Sequence, residues 1–287
     1  MKILFITLIT FVLSVLAPEK PQNETAKIPM CHAVTVSNGM AALAGNPAFV
    51  AAHANPIPFH YVSAAGEMIK IDAPDGKAAN AFFLKAKQPS NKWLFVYQEW
   101  WGLNDYIKQQ AETYYNDLKD VNVIALDMYD GQVATKAEDA GKLMQGADKA
   151  RLGAIMKAAI NYAGPKADIA SVGWCFGGGL SLQSAILEGK QAKGCVMYYG
   201  FPEMDVNKLK MLETDVLGLF GSKDKFISTE TLKKFEGAMS EAGEKVTVKV
   251  YDADHAFANP SAPNFDKAAT EDAYKRALAY LKEKLKA

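Results

Sequence analysis

Five short runs, apolar but for Asn122 and Ser171, recur along this chain: Trp93–Tyr97, Val121–Leu126, Ile169–Gly173, Gly194–Tyr199 and Val216–Phe220. A strand that is apolar at every position has no face to offer water, so it belongs inside a sheet covered on both sides. Segments of helical pattern lie between most of these runs: Asp105–Lys119, two within 136–163 that part near Gly146, and Gly177–Glu188. A helix over Ser228–Ala242, a strand over Val246–Tyr251 and a helix over Phe265–Lys286 complete the chain. Upstream, Met68–Asp72 and Ala81–Lys85 read as two strands about the turn Pro74-Asp75-Gly76, and Asn104 is placed to cap the helix that follows it. Strands that alternate with helices through short loops predict an α/β domain, with a mostly parallel central sheet and helices on both faces.

The chain before this domain has a different texture. Lys2 precedes an apolar run from Ile3 to Ala17, about 15 residues and short for a membrane span, which needs roughly 20. A basic start, a short apolar run and a small residue at its end predict a signal peptide over 1–17, and hence a periplasmic or secreted protein with no stable span after its removal. Residues 18–66, rich in Ala, Pro and Asn, read as an arm containing a helix around Gly39–His53, and 67–287 as the folded domain.

Charge and cysteine content narrow the chemistry. Lys+Arg and Asp+Glu both number 32, so there is no basic excess with which to displace counterions from nucleic acid. Only Arg151 and Arg276 are arginines, which disfavours a guanidinium clamp on carboxylate or phosphate. Three cysteines, Cys31, Cys175 and Cys195, cannot all pair in disulfides. No Cys-x-x-Cys occurs and the four histidines are scattered, so no metal is expected.

In a parallel sheet, ligands sit beyond the carboxyl ends of the strands. There, after Ile169–Gly173, stands Gly173-Trp174-Cys175-Phe176-Gly177-Gly178-Gly179. It fits the Gly-x-nucleophile-x-Gly elbow between strand and helix, with Cys in the nucleophile position. The Phe176 N–H at the helix start would face a developing oxyanion. The simpler reading is a buried cysteine in a glycine-rich turn.

A thiol needs a proton acceptor. His32, His53 and His60 lie in the arm, and His255 alone follows the elbow, in the loop after Val246–Tyr251. Asp224, after Val216–Phe220, falls between Cys175 and His255 in chain order, as an orienting acid should, with Asp252 and Asp254 as competitors. The segment Gln98-Glu99-Trp100-Trp101-Gly102-Leu103-Asn104 leaves the strand Trp93–Tyr97 where a second oxyanion donor belongs, by position the Trp100 N–H. Glu99 there either takes up the Cys175 proton or pairs with Lys92 or Lys223, and Trp100 and Trp101 read as pocket walls.

Taken with Gly221-Ser222-Lys223-Asp224 and His255-Ala256-Phe257, these segments resemble the dienelactone hydrolase family of α/β-hydrolases (carboxymethylenebutenolidase-like), from about Gly66 onward. The resemblance implies a Cys175–His255–Asp224 triad, Glu99 as a participant in thiol activation, an acyl-enzyme on a small ester or lactone, and no cofactor. It also implies an Arg four residues after the triad His, where substrate carboxylate binds, and here that position is Asn259. Ester or lactone cleavage is therefore expected, and a strong demand for a substrate carboxylate is not. An inactive homologue whose pocket only binds a ligand is the alternative. A redox thiol is disfavoured because no resolving Cys lies nearby in sequence.

Overall fold

The computed structural model describes residues 42–287; the expected signal peptide, Cys31 and the first part of the arm lie outside them. Eight strands form one sheet: β1 (Glu67–Ile71), β2 (Ala79–Leu84), β3 (Lys92–Tyr97), β4 (Asn122–Leu126), β5 (Asp168–Trp174), β6 (Ala192–Tyr198), β7 (Val216–Gly221) and β8 (Val246–Tyr251). Their order is β1-β2-β4-β3-β5-β6-β7-β8. The β1–β2 hairpin and the β2–β4 pair are antiparallel and every other pair is parallel.

Burial follows sequence pattern. β4 and β7 are buried at every position, and β3 and β5 at all but their first. The edge strands β1 and β8 keep exposed residues such as Met68 and Thr247. A charged, alternating edge also discourages pairing with another sheet.

The helices are α1 (Pro47–Ala51), α2 (Asp105–Leu118), α3 (Ala137–Gly146), α4 (Lys149–Ala163), α5 (Phe176–Glu188), α6 (Val206–Leu209), α7 (Thr229–Ala242) and α8 (Lys267–Leu285). The first turn of a helix has amide donors with no partner in the helix, and side-chain caps supply one. The Asn104 Oδ1 accepts from the Ile107 N–H at 3.1 Å, and the Ser228 hydroxyl from the Thr231 N–H at 3.2 Å. α2 packs on α8, α4 on α5, and α5 lies along β3, β5 and β6. The short α6 had no sequence signal: at four residues it is too brief for a helical period to show.

The described part of the arm is packed rather than loose. α1 packs against α3, and Phe49 within it is fully buried. The Asn55 side chain accepts from the Ala137 N–H, and the Tyr61 hydroxyl donates to Glu112 on α2 at 2.7 Å.

Candidate active site

Strand register brings the motifs together before any side chain is considered. Tyr97 of β3 is level with Gly173 of β5, which sets Glu99 and Trp100 beside Cys175. Trp174 is level with Tyr198 of β6, and the Cys175 N–H donates to the Tyr198 carbonyl at 2.9 Å. Gly221 at the end of β7 is level with Tyr251 at the end of β8, so the loops bearing Asp224 and His255 leave side by side.

Cys175 has φ 53° and ψ −116°, an unusual backbone conformation for a residue with a side chain. Such strain costs roughly 1–3 kcal/mol and persists only where the surroundings impose it. Here they do, because α5 starts hard against β3. A Cβ on Gly177 would fall 2.3 Å from the Tyr97 carbonyl oxygen, and one on Gly173 would fall 2.0 Å from that of Gly177. The glycines of the elbow are thus demanded by close approach of backbone to backbone.

His255 Nε2 lies 3.4 Å from Cys175 Sγ, and His255 Nδ1 lies 2.7 Å from Asp224 Oδ2. The Phe226 and Ile227 N–H groups donate to Asp224 Oδ1 at 2.8 and 2.9 Å and hold that carboxylate in place. A carboxylate can only accept, so the Asp224 contact puts a proton on Nδ1 and turns Nε2 toward the sulfur. Of the competing acids, Asp252 is an exposed partner of Lys223 and Asp254 makes no contact with the ring. Rings of Phe49, Tyr199 and Phe226 enclose the imidazole.

Electrostatics decide the resting form. Burial pushes the Cys175 thiol up, against the pull of His255, so the sulfur rests protonated. Burial alone would lower His255, but the Asp224 carboxylate beside Nδ1 works against burial and holds the imidazole above its ordinary value. An imidazole that already holds its proton is a poor base for the thiol.

A second acid, Glu99, lines the same cavity. Its carboxyl is buried, and burial raises it to about 7 in spite of His255, Tyr199 and Asn259. The Tyr199 hydroxyl donates to Oε1 at 3.3 Å and the Asn259 amide to Oε2 at 2.5 Å. Neither Lys92 nor Lys223 pairs with Glu99: Lys92 donates to the Lys286 carbonyl and Lys223 bonds Asp252. Asn259 lines the cavity as expected, yet its polar atoms are largely engaged within the protein. Its Oδ1 accepts from the Ser261 N–H and hydroxyl at 2.8 and 2.7 Å, which fixes the amide with Nδ2 toward Glu99. The expected substrate contact is, first, a contact to Glu99.

The Phe176 N–H hydrogen-bonds toward the Cys175 sulfur, and neither it nor the Trp100 N–H joins a backbone hydrogen bond among the described residues. A cavity of about 570 Å³ opens above the sulfur, with Trp100 and Trp101 in its wall as expected. Lys223 and Lys225 line it too.

Three residues around His255, of which His53 lines the cavity, carried no usable sequence signal. Tyr199 followed a strand end next to the elbow, the one hint available. Phe49 and His53 come from the arm, where only the fold could place them. By sequence His53 belongs to the arm with His60, yet its ring lies 5.5 Å from that of His255 and 4.5 Å from Trp100. His60, by contrast, is exposed and pairs with Asp105. Cys195 is buried beside the Ser181 hydroxyl, away from the cavity wall.

The sequence model of the dienelactone hydrolase family matches residues 79–285. Protein usf of Aquifex pyrophilus is 29% identical over 204 residues, which cover 67% of this chain and 88% of that protein. A carboxymethylenebutenolidase of a Pseudomonas species is 36% identical over 115 residues, 40% of this chain and 47% of that enzyme. Among solved structures, a dienelactone hydrolase-like promiscuous phosphotriesterase from metagenomic libraries superposes with a TM-score of 0.66 at 23% identity, over 77% of this chain and 99% of that one. An esterase of Pyrococcus furiosus superposes with a TM-score of 0.59 at 14% identity, over 80% and 99%. These two similarities concern the fold.

Proposed function

The chain belongs to the dienelactone hydrolase family, hydrolases of carboxylic ester bonds, and from that premise we propose that it cleaves a small lactone or ester through an acyl-enzyme on Cys175. The observation that carries this reading is the buried line Asp224–His255–Cys175, ending at a strained elbow in the floor of a closed-in cavity.

In this mechanism ionised Glu99 takes the Cys175 proton, since His255 already holds its own. The thiolate, paired with the imidazolium, attacks the carbonyl carbon. The Phe176 and Trp100 N–H groups stabilise the oxyanion. The intermediate collapses as His255 gives its proton to the leaving oxygen, and the neutral imidazole that remains draws a proton from water for the second attack. No step calls for a metal or an organic cofactor.

Among the described residues no Arg or Lys side chain is bonded to Glu99 or Cys175; the lysines of the cavity wall, Lys223 and Lys225, are exposed, and the first is bonded to Asp252. Neutral substrates suit such a site. Export belongs to the same proposal, from the basic and apolar pattern of 1–17, and an intact mass of the protein recovered from the periplasm or medium checks it.

The test is hydrolysis of p-nitrophenyl butyrate, with acyl-Cys175 sought by mass spectrometry after rapid acid quench. Turnover lost in Cys175→Ala supports the reading, and turnover retained in that variant defeats it. Wild-type protein that binds the ester without turning it over would be a ligand-binding homologue.

A further inference from the structure

Among the polar side chains of the cavity wall that the proposed mechanism does not use, His53 is the histidine. His53 follows α1, in a segment upstream of the stretch that matches the family, so the family chemistry assigns it nothing. Its Nδ1 lies 2.7 Å from the Phe49 carbonyl oxygen. A carbonyl can only accept, so Nδ1 carries the proton and Nε2 presents a lone pair. Phe49 at 4.4 Å, Trp100 at 4.5 Å and His255 at 5.5 Å, ring to ring, fix the plane of the imidazole. Nε2 has no partner among the described residues, and it is not one of the buried polar atoms sealed off from solvent. A molecule in the cavity is its available partner.

Burial, reinforced by His255 across the cavity and opposed by the Phe49 carbonyl and more distant Asp224, pushes His53 down to about 4. The ring therefore stays neutral wherever the enzyme would work, and a neutral lone pair accepts hydrogen bonds but repels a carboxylate.

We infer that His53 Nε2 is an acceptor subsite that selects ester or lactone substrates bearing a neutral hydrogen-bond donor, a hydroxyl or N–H, within one or two bonds of the scissile carbonyl. Ring proximity sets that reach: His255 touches Cys175 Sγ, and His53 stands next to His255. The inference rests on the proposed hydrolase reading and adds a substrate class to it. It also gives the N-terminal segment a function. The segment that begins with α1 brings the acceptor into the cavity wall, while the small side chains of Ala48, Ala52 and Ala54 leave room there for the substrate.

The experiment compares γ-butyrolactone with its α-hydroxy and β-hydroxy derivatives, in wild type, His53→Phe and His53→Gln. Phe keeps a ring and removes the acceptor; Gln restores an acceptor oxygen. For each lactone the ratio of kcat/KM over the parent is divided by the same ratio in His53→Phe, which cancels intrinsic reactivity. A quotient of about 10 or more for at least one hydroxylactone, largely recovered in His53→Gln, is expected. Quotients within twofold of unity for both overturn the inference, even though the enzyme is then shown to be a lactonase. Should wild type open none of them, the hydrolase reading fails for lactones and the subsite is read separately. Quenching of Trp fluorescence on Cys175→Ala protein then reports whether the hydroxylactones bind tighter than the parent only when His53 is present. Equal binding with and without His53 overturns the subsite by that route. Thermal denaturation confirms that the variants are folded, and His53→Met replaces the Phe variant if it is not.

Discussion

The Asn259 amide donates to Glu99 Oε2 at 2.5 Å, and this neutral contact stands where the dienelactone-cleaving pattern has an arginine. Burial raises the carboxyl to about 7, against the opposing pull of His255 and of the hydrogen bonds from Tyr199 and Asn259. In the proposed mechanism Glu99 is then a switchable proton acceptor.

The first consequence is a pH profile. Glu99 is raised to about 7, and the reaction needs it ionised, so kcat/KM for a neutral ester should climb as pH rises through about 7. Asn259→Ala removes a hydrogen bond that favours the carboxylate, so the limb should move to higher pH. Asn259→Arg should move it lower. Glu99→Gln should slow acylation and erase the limb. Stopped-flow acylation rates between pH 5 and 9 decide it, and a limb that stays put in all three variants would make Glu99 structural.

Substrate charge gives a second expectation. A charge-assisted hydrogen bond is worth ~1.5–3 kcal/mol, against roughly 1 for a neutral one. With Asn259 occupied by Glu99 and Ser261, neutral esters should be hydrolysed at least as well as carboxylated analogues, and Asn259→Arg should shift kcat/KM toward the anion. A wild-type preference of ~100-fold for the anion would mean that a rim cation such as Lys225 is binding it.

Triad losses should not add. His255→Ala and Asp224→Ala are each expected to lower kcat on the order of 10³-fold, and the double variant little further, because each residue acts through the other. Independent, multiplicative losses would argue against the relay. Iodoacetamide should label Cys175 and abolish activity, whereas Cys195→Ser should retain it, since that thiol lies in the core.

Stability should carry its own pH signature from Glu188. This buried carboxyl takes a 2.6 Å hydrogen bond from Ser184, its other oxygen has no partner, and burial raises it to about 8. An acid that holds its proton more tightly when folded stabilises the fold below its ordinary value, and this contribution fades as pH rises through its folded value. Tm should fall between pH 5 and 9 in wild type and fall less in Glu188→Gln. Parallel curves for the two proteins would show that the core tolerates the charge.

The architecture was legible in the pattern of the chain, and so was the set Cys175, His255 and Asp224 that the fold brings into one line. Continuous apolar runs can be satisfied only inside a covered sheet, so Trp93–Tyr97 and Val216–Phe220 announced strands β3 and β7. The nucleophile was legible because its backbone strain forces glycines two positions to either side, and strand ends located Glu99, Asp224 and His255. The tertiary structure alone decided what those residues face. Nothing local told Asn259 that Ser261 would pin its amide toward Glu99. Nothing in an Ala- and Pro-rich arm marked His53 as different from His60. One is wedged into the cavity and the other lies at the surface, because α1 happens to pack on α3. Such contacts join residues distant in the chain and have no period or spacing, so they exist only once the sheet has set the loops side by side.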